Sequence, residues 1–404
     1  MTDQLKQKLA ITIEPKKVSD RQKYARFTAL FLLMASLPMV AVGLFNIIID
    51  PYGTFNSPVG KFNHEKPSKD NNDRLYKAAD IMRIKPVTVI LGSSRTKQSI
   101  NPEHPTLQDK TPIYNLALNG ANIYEVRRYL EHAIANQEDI ELVVLGVDFF
   151  MFNGELDNQP SFSENRLETA MLPPNDLINS VFSLDTYQRS VETVEASRTA
   201  KTINLDYGKN GFMPNRKVND GKTEARFDGS IKTYFKFHSN YTFSENYFEE
   251  FKKIVELCQK QGIELKVFIP PAHATDNEAI RVTGQWEAFE EWKRKMVKIV
   301  PVWDFSGYNS VVTEPIQAKM ENYADNSHFT VRVGNWILDR IFSTNAATVP
   351  TDFGVLLTPD NVESHLAEIE RDRETWAAQH PDEVQLVRRI YDKFIAQREK
   401  DNPS

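Results

Sequence analysis

Two short segments of the sequence contain the residue types of a serine-hydrolase triad. Ser94 lies in the run LGSSRT at positions 91–96, and Asp325 and His328 lie in the run YADNSHF at positions 323–329. An aspartate three residues before a histidine lets one loop supply a general base together with the carboxylate that orients it. The spacing therefore predicts Ser94 as a nucleophile, His328 as its base and Asp325 as the orienting carboxylate.

Each segment also has a simpler interpretation when it is taken alone. Gly-Ser-Ser is a common turn composition, and Ser94 would then be part of an ordinary helix cap. The Asp-x-x-His run would be a polar surface loop. The position of Ser94 favours chemistry, because it follows a predicted strand and opens a helix. Ligands of open parallel sheets bind beyond the carboxyl ends of the strands, and backbone N–H groups at a helix start stabilise negative charge.

Short apolar runs rich in β-branched residues alternate with helical patterns between positions 87 and 342. Such runs are typical of strands that are buried on both faces. The predicted strands are 87–91, 113–118, 142–147, 265–269 and 300–305. The predicted helices are 122–137 (opened by a capping box of Asn122 and Glu125), 244–262, 279–297 and 331–342. This alternation predicts an α/β fold with a parallel sheet covered by helices, within a domain spanning 85–345.

Two segments interrupt the alternation. Residues 152–241 contain a helical part at 183–198 and a polar part at 204–240, in which glycines alternate with aromatic residues. This insertion is expected either to fold over the mouth of the sheet, where loops build specificity, or to form a surface hairpin without a role. Residues 346–404 are charged and helical, and we interpret them as a peripheral tail docked through Trp376 and Ile390.

An uncharged and mostly apolar run at 27–49 is long enough to cross a bilayer as one helix. A cleavable signal peptide has a shorter apolar run, and a buried soluble helix normally keeps a polar face. The residues before the run are mainly basic: Lys6, Lys8, Lys16, Lys17, Arg21, Lys23 and Arg26, against Asp3, Glu14 and Asp20. The excess predicts a cytoplasmic tail at 1–26, a single-pass anchor at 27–49, and export of the remainder, beginning with a linker at 50–84.

Composition and missing motifs exclude several classes of function. The net charge of −6 argues against a nucleic-acid partner, because phosphate binding needs a basic surplus. The single cysteine, Cys258, allows no internal disulfide, and we interpret it as a small apolar residue on a helix. The sequence lacks His-Glu-x-x-His, Cys-x-x-Cys, the phosphate-binding Gly-x-x-x-x-Gly-Lys and the dinucleotide fingerprint. It therefore predicts no metal site and no cofactor.

Three segments together resemble the conserved blocks of the SGNH/GDSL hydrolases. The run GSS at 92–94 is similar to the Gly-Asp-Ser block, with Ser94 in the place of the nucleophile. The run NLALNG at 115–120 is similar to the second block, in which a glycine, here Gly120, supplies an oxyanion-hole N–H. Asp325 and His328 match the final Asp-x-x-His block, and the order along the chain is that of the family. The resemblance implies a flavodoxin-like three-layer α/β/α fold, a Ser94–His328–Asp325 triad, and an oxyanion hole formed by the N–H groups of Ser94 and Gly120.

The third block departs from the family pattern. Its oxyanion-hole asparagine is replaced by Asp148, in the run GVDFF at 146–150. An ionised carboxylate cannot donate a hydrogen bond, so we expect Asp148 to be protonated, turned away from the hole, or paired with a residue such as Arg95. The candidate substrate contacts are Arg95, Asn119, Asp148 and His273. His273 follows a predicted strand and is either a substrate contact or a solvated loop histidine.

The whole pattern is most similar to the membrane-anchored branch of this superfamily. That branch includes proteins similar to alginate O-acetylation factors and to the lipoteichoic-acid D-alanylation protein, which act beside membrane-bound O-acyltransferases. The resemblance implies a serine esterase or O-acyltransferase on the outer side of a bacterial cytoplasmic membrane, acting on an acylated envelope glycan or polymer. A competing hypothesis, favoured by Asp148, is a catalytically silent SGNH-like module that binds glycan or scaffolds an envelope-modifying complex.

Overall fold

A six-stranded sheet forms the centre of the molecule. The computed structural model describes residues 19–200, 208–215 and 220–401. The strands are β1 (Thr88–Leu91), β2 (Ile113–Asn115), β3 (Leu142–Gly146), β4 (Glu264–Ile269), β5 (Val302–Asp304) and β6 (Val355–Leu357). Their order is β2-β1-β3-β4-β5-β6, with β1 to β5 parallel and β6 antiparallel to β5. The predicted α/β class and parallel sheet are confirmed. In this doubly wound order the connections reverse direction between β1 and β3, where such sheets bind ligands.

Fourteen α-helices lie in the described part of the chain. They are α1 (Asp20–Ile49), α2 (Asp73–Ile84), α3 (Ser94–Ser99), α4 (Ile123–Asn136), α5 (Glu164–Leu167), α6 (Pro174–Phe182), α7 (Leu184–Thr199), α8 (Thr223–His238), α9 (Glu245–Gln261), α10 (Ala274–Val282), α11 (Trp286–Val297), α12 (Val331–Ile341), α13 (Val362–Gln379) and α14 (Pro381–Asp401). Helices cover both faces of the sheet, because alternate strand residues belong to two different apolar clusters. Val89 and Val143 pack with α2, α4, α9 and α11, whereas Ile90 and Val144 pack with α12. A strand buried in this way is apolar along its whole length.

Two predicted helix features are wrong in detail. The Asn122 side chain caps α4 by accepting a hydrogen bond from the backbone N–H of Glu125 at 3.0 Å. The Glu125 carboxylate does not return to Asn122 as a capping box requires, because Arg74 Nε donates to it at 2.7 Å. The single helix predicted at 279–297 is two helices, α10 and α11. Gly284, with a φ of 74°, lies in the left-handed turn between them.

Residues 50–84 are more than a linker, since their last twelve residues form α2. Tyr76 and Ile81 on this helix are fully buried, and Ile81 belongs to the apolar cluster beneath the sheet. The Lys77 ammonium is also buried and donates to the carbonyl oxygens of Asn115 and Ala117, both at 2.7 Å. The α/β domain therefore begins at α2, and the predicted domain boundary at 85 is too late.

The C-terminal segment is an integral part of the fold rather than a peripheral tail. It supplies β6, and the two predicted docking residues, Trp376 and Ile390, are buried. The Trp376 ring lies 5.4 Å from that of Tyr308. Ile390 packs with Ile231 and Phe235 of α8. The segment thus holds α8 against the domain.

The insertion at 152–241 contains α5, α6, α7 and α8. The helix predicted at 183–198 is α7, and the Ser183 hydroxyl caps it by accepting from the Thr186 N–H at 3.0 Å. The polar part contains a helix that the pattern did not predict, α8. Within the polar part, residues 204–207 and 216–219 lie outside the described residues.

The first helix, α1, is long and apolar enough to cross a membrane. Almost all of it is exposed; its buried residues are Gly43, Asn46 and Ile49, close to its C-terminal end. A soluble amphipathic helix would instead bury one apolar stripe along its length. The predicted apolar helix at 27–49 is thus confirmed, while the first eighteen residues of the predicted cytoplasmic tail lie outside the described residues.

Candidate active site

The turn after β1 brings Ser94 to the edge of the sheet. The Ser93 hydroxyl caps α3 by accepting a hydrogen bond from the Arg95 N–H at 3.1 Å, and Ser94 is the first residue of that helix. Gly92 has a φ of 149°, and a Cβ atom there would collide with the Thr96 hydroxyl. A glycine at position 92 therefore lets α3 start directly against the strand end, which places Ser94 beyond the carboxyl end of β1.

Ser94, His328 and Asp325 form a continuous chain of contacts. Ser94 Oγ lies 2.9 Å from His328 Nε2. On the other side of the ring, His328 Nδ1 lies 2.9 and 3.0 Å from the two carboxylate oxygens of Asp325. The structure thus brings together three residues of which the first and the last are 234 positions apart in the sequence.

Electrostatics fix the roles within this chain of contacts. Burial alone would raise the pKa of Asp325, but the His328 ring and hydrogen bonds from the N–H groups of Ser327 and His328 outweigh it and hold the pKa below its ordinary value. An ionised Asp325 accepts the Nδ1 proton of His328, which leaves the Nε2 lone pair facing the Ser94 hydroxyl. His328 is therefore oriented as a general base toward Ser94.

The two predicted oxyanion donors face a common cavity, which Ser94 and Gly120 both line. Gly120 adopts a φ of 56°, a left-handed conformation suited to glycine. Among the described residues, neither the Ser94 N–H nor the Gly120 N–H has a hydrogen-bond acceptor. Both groups are thus without an internal acceptor, at residues that line the same cavity as the Ser94 hydroxyl.

Asp148 is paired with Arg95, which is one of the three alternatives expected from the sequence. Arg95 donates one N–H to Asp148 Oδ1 at 2.9 Å, and the Asp148 side chain is fully buried. The second carboxylate oxygen, Oδ2, has no hydrogen-bond partner in the described part of the chain, and Asp148 lines the cavity. Asp148 therefore accepts from Arg95 through one oxygen and leaves the other without a partner at the cavity.

Arg95 connects this carboxylate to two further elements. Its other N–H groups donate to Asp276 Oδ2 at 3.0 Å and to Ser327 Oγ at 3.0 Å. Burial by itself would lower the pKa of Arg95, but the carboxylates of Asp276 and Asp148 raise it above its ordinary value. Burial raises the pKa of Asp276, and the nearby Arg95 charge opposes that increase. Arg95 thus fastens the start of α3 to the end of β3, to α10 and to the loop that carries His328.

The cavity beside Ser94 has a volume of about 370 Å³ and a largely aromatic wall. Its rings are those of Phe149, Phe150, Tyr234, Phe237, His238, Tyr241 and Phe289. The helix α8 closes one side of the cavity. The insertion therefore lies over the mouth of the sheet, which is the first of the two arrangements expected from the sequence. A pocket of this size and polarity suits a small organic ligand with an apolar portion.

Comparison with known proteins assigns no family to this geometry. No protein-family model matches the chain, and no curated protein matches it. The chemistry of the site is therefore inferred from its own side chains. Within the described residues, no group of three or more His, Cys, Asp or Glu side chains could hold a metal ion.

Asn119 does not line the cavity. Its backbone N–H donates to Asp73 Oδ2 at 2.6 Å, and its side-chain amide donates to the Asp70 carbonyl at 3.1 Å. These bonds turn the residue toward α2 and away from Ser94. The structure thus gives Asn119 a role in holding the Gly120 turn, and no contact with the cavity.

Both expectations for His273 are corrected by its burial. The residue is neither a solvated loop histidine nor a lining residue of the cavity, since its side chain is fully buried. Its Nδ1 caps α10 and lies 3.0 Å from Thr275 Oγ1, and its Nε2 lies 2.8 Å from the Glu314 carbonyl. Burial lowers its pKa to about 4, so the ring is neutral at physiological pH.

Sequence reasoning missed Asp276 and the aromatic wall. Asp276 lies in the first turn of α10, just beyond β4. An acidic residue close to the end of a predicted strand was the sequence signal that could have marked it as a site residue. The pattern instead placed the helix start at 279. The wall residues gave no signal, because apolar residues of the cavity and of the core look alike in sequence.

Proposed function

We propose that the chain is a membrane-anchored, SGNH-type serine esterase or O-acyltransferase. The observation that carries the proposal is the alignment of Ser94, His328 and Asp325, with contacts of 2.9 Å on both sides of the imidazole. His328 takes the Ser94 hydroxyl proton while Ser94 Oγ attacks the carbonyl carbon of an ester. Asp325 stabilises the imidazolium, and the N–H groups of Ser94 and Gly120 bind the oxyanion.

The acyl group is transferred in two steps, first to Ser94 and then to an acceptor. His328 returns its proton to the departing alcohol oxygen as the ester bond breaks, which leaves the acyl group on Ser94. Water or a sugar hydroxyl next gives a proton to His328 and attacks the acyl carbon, and Ser94 Oγ leaves with that proton. Water as the acceptor gives an esterase, and a hydroxyl of an envelope glycan or polymer gives an O-acyltransferase.

The position of each site residue supports an SGNH-type arrangement. Ser94 follows β1, Gly120 follows β2, and Asp148 follows β3, which are the three adjacent strands in the order β2-β1-β3. Asp325 and His328 precede α12. These are the chain positions at which the sequence resemblance expects the nucleophile, the two oxyanion blocks and the base.

A catalytically silent binding or scaffold module is the second candidate function. The observation that favours it is Asp148, whose carboxylate replaces the expected asparagine donor and binds Arg95 at 2.9 Å. A site with fewer oxyanion donors is a weaker catalyst, since losing one donor costs about 3 kcal/mol of transition-state stabilisation. This candidate retains the cavity and the fold but needs no acyl-serine.

Covalent labelling tests the catalytic proposal directly. Full-length protein in detergent is expected to react with a fluorophosphonate probe, with the adduct on Ser94, because only an activated serine attacks phosphorus readily. Mass spectrometry of the labelled peptide is the measurement, Ser94→Ala is the negative variant and Ser93→Ala is the matched control that should still react. A folded wild-type protein without an adduct would favour the silent module.

Membrane topology is a separate prediction. A periplasmic alkaline phosphatase reporter fused after Ser404 is expected to be active, because the Lys and Arg excess before position 27 retains the N-terminus in the cytoplasm. A fusion of a cytoplasmic reporter before Met1 is the matched control and should also be active. Activity of a cytoplasmic reporter after Ser404 would contradict the outer location.

A further inference from the structure

Exposed apolar side chains concentrate in one segment outside α1. The described residues outside α1 include eleven large hydrophobic side chains that are exposed. Seven of them fall between positions 171 and 191: Met171, Leu177, Ile178, Phe182, Leu184, Tyr187 and Val191. The other four are Val59, Phe62, Phe237 and Leu356. Isolated exposed apolar residues are ordinary, whereas such a concentration marks a surface that meets a partner or a membrane.

Six of these seven residues lie on α6 and α7, which form a helical hairpin that packs on the C-terminal end of α1. The fully buried Asn46 of α1 donates to the Val181 carbonyl at 2.9 Å and accepts from Ser190 Oγ at 2.8 Å. A Cβ atom on Gly43 would lie 2.8 Å from the Phe182 ring. The glycine therefore allows that ring to lie directly against the backbone of α1.

The contact with α1 fixes the depth of the α6–α7 hairpin, and this step rests on the proposed anchoring by α1. The apolar run begins at position 27, and about 20 helical residues cross the hydrocarbon core. The outer edge of that core therefore falls near Asn46, the residue that binds both helices of the hairpin. Phe182 meets α1 at Gly43, which lies about 4.5 Å further toward the bilayer centre.

The two aspartates of the hairpin, Asp176 in the first turn of α6 and Asp185 beside the hairpin turn, each have a partner. Asp176 accepts from Arg166 Nε at 2.7 Å and from its NH2 group at 3.0 Å. Asp185 accepts from the Tyr52 hydroxyl at 2.6 Å and lies 3.5 Å from Arg189. The turn presents the apolar side chains of Phe182 and Leu184, which is 83% exposed, beside the carboxylate of Asp185, which is 62% exposed.

We propose that the α6–α7 hairpin is a second membrane contact, with its turn from Phe182 to Leu184 lying at the boundary between headgroups and acyl chains of the outer leaflet. The partner is the lipid bilayer, because the apolar surface of the hairpin is continuous with that of α1. Interfacial helices bind in this way, through an apolar face with polar groups directed to water. One transmembrane helix alone leaves a domain free to rotate about it. A second contact holds the Ser94 cavity at a fixed height and orientation above the membrane.

Lipid-borne quenching of a fluorescent label tests this contact. The native Cys258 is buried, and burial raises the pKa of its thiol to about 12, so it should not react with a label. A Leu184→Cys protein carrying an NBD fluorophore is reconstituted at full length into phosphatidylcholine–phosphatidylglycerol vesicles. Some of the vesicles contain phosphatidylcholine with a doxyl group near the headgroup end of its acyl chain. The protein without an added cysteine is the blank.

Two matched labels separate the hairpin from the anchor. Leu356→Cys lies on β6 outside the hairpin, and its native side chain is 40% exposed; Met34→Cys lies on α1, and its native side chain is 60% exposed. We expect several-fold stronger doxyl quenching at position 184 than at position 356, and strong quenching by acyl-chain lipids at position 34. Ile178→Cys, on α6 at a residue that is 55% exposed, serves as a second hairpin site if Leu184→Cys fails to fold.

The outcomes distinguish the proposals. Quenching at position 34 but not at positions 184 or 178 overturns the hairpin contact and leaves the anchor intact. No quenching at position 34 removes the anchor, and the hairpin contact falls with it. A label on the hairpin can be shielded from an aqueous quencher in native membranes and yet exposed to it in vesicles of the purified protein. That result identifies a protein partner and overturns the lipid contact. None of these readouts depends on Ser94, so the catalytic proposal stands or falls separately.

Discussion

Ser94→Ala is expected to lower the turnover of an aryl acetate by a factor on the order of 10⁴ to 10⁶, the range found when one residue of a catalytic triad is removed. The physical reason is that the acyl-serine route disappears, while the cavity and the oxyanion donors remain. The measurement is kcat for full-length protein in a fixed detergent. A parallel check of folding by circular dichroism keeps loss of structure from being mistaken for loss of chemistry.

Ser93→Ala is the matched control for that experiment, because it removes a neighbouring hydroxyl of the same size. Ser93 caps α3 through its contact with the Arg95 N–H at 3.1 Å. Losing such a cap costs about 1 kcal/mol of stability, yet it leaves the contact between Ser94 and His328 in place. We expect turnover within an order of magnitude of wild type. An inactive Ser93→Ala protein together with an active Ser94→Ala protein would show that Ser93, and not Ser94, is the nucleophile.

The same pair of variants separates the two candidate functions in cells. A catalyst should lose its cellular function with Ser94→Ala and keep most of it with Ser93→Ala. A silent module should keep its function with both, because binding needs the cavity and the fold but no acyl-serine. Full complementation by Ser94→Ala, together with equal aryl acetate rates for all three proteins, would remove the catalytic proposal.

The strands and the Ser94–His328–Asp325 arrangement were predictable because their signals are local. A strand buried on both faces is a continuous apolar run, and β1 and β3 have that pattern. Parallel strands place their carboxyl ends at one edge, so Ser94 and the loop of His328 could be expected to meet there. The order of the three SGNH/GDSL-like segments along the chain supported assigning Ser94, Asp325 and His328 to one site.

Residues whose roles depend on tertiary contacts were not predictable. His273 follows a strand end, the usual place of a substrate contact in such a sheet, yet its ring is fully buried against the Glu314 carbonyl. Asp276 has a local sequence context that says nothing about Arg95, which is 181 positions away. The break at Gly284 was missed because a glycine within a helical pattern is often tolerated. For His273 and Asp276, a partner distant in sequence decides the outcome.

Arg95→Met is expected to destabilise the protein by about 3–5 kcal/mol, the cost of removing one partner of a buried ionic cluster. Methionine keeps much of the length and apolar volume of the arginine stem, so the main change is the loss of the guanidinium. Asp148 and Asp276 would then remain buried without their counter-charge. The measurement is the urea midpoint of the full-length protein in a single detergent.

Asp148→Asn is the matched variant, because the amide keeps an oxygen that can accept from Arg95. The hydrogen bond loses its charged acceptor but is not removed, so we expect a smaller loss of about 1–2 kcal/mol. Its new N–H group replaces an oxygen that has no partner among the described residues. We therefore expect aryl acetate turnover that equals or exceeds that of the wild type. A fall in turnover would mean that the Asp148 charge itself assists the reaction.

The pH dependence distinguishes loss of the counter-charge from loss of packing. Removing Arg95 removes the positive charge that opposes the burial-induced rise in the pKa of Asp276. A buried carboxyl whose pKa lies above its unfolded value stabilises the folded state when it is protonated, and this stabilisation is lost as the pH rises. The deficit of Arg95→Met should therefore be smaller at pH 5 than at pH 8. An equal deficit at both pH values would show that Arg95 contributes through its packing, and that the link between α3, β3 and the His328 loop is not electrostatic.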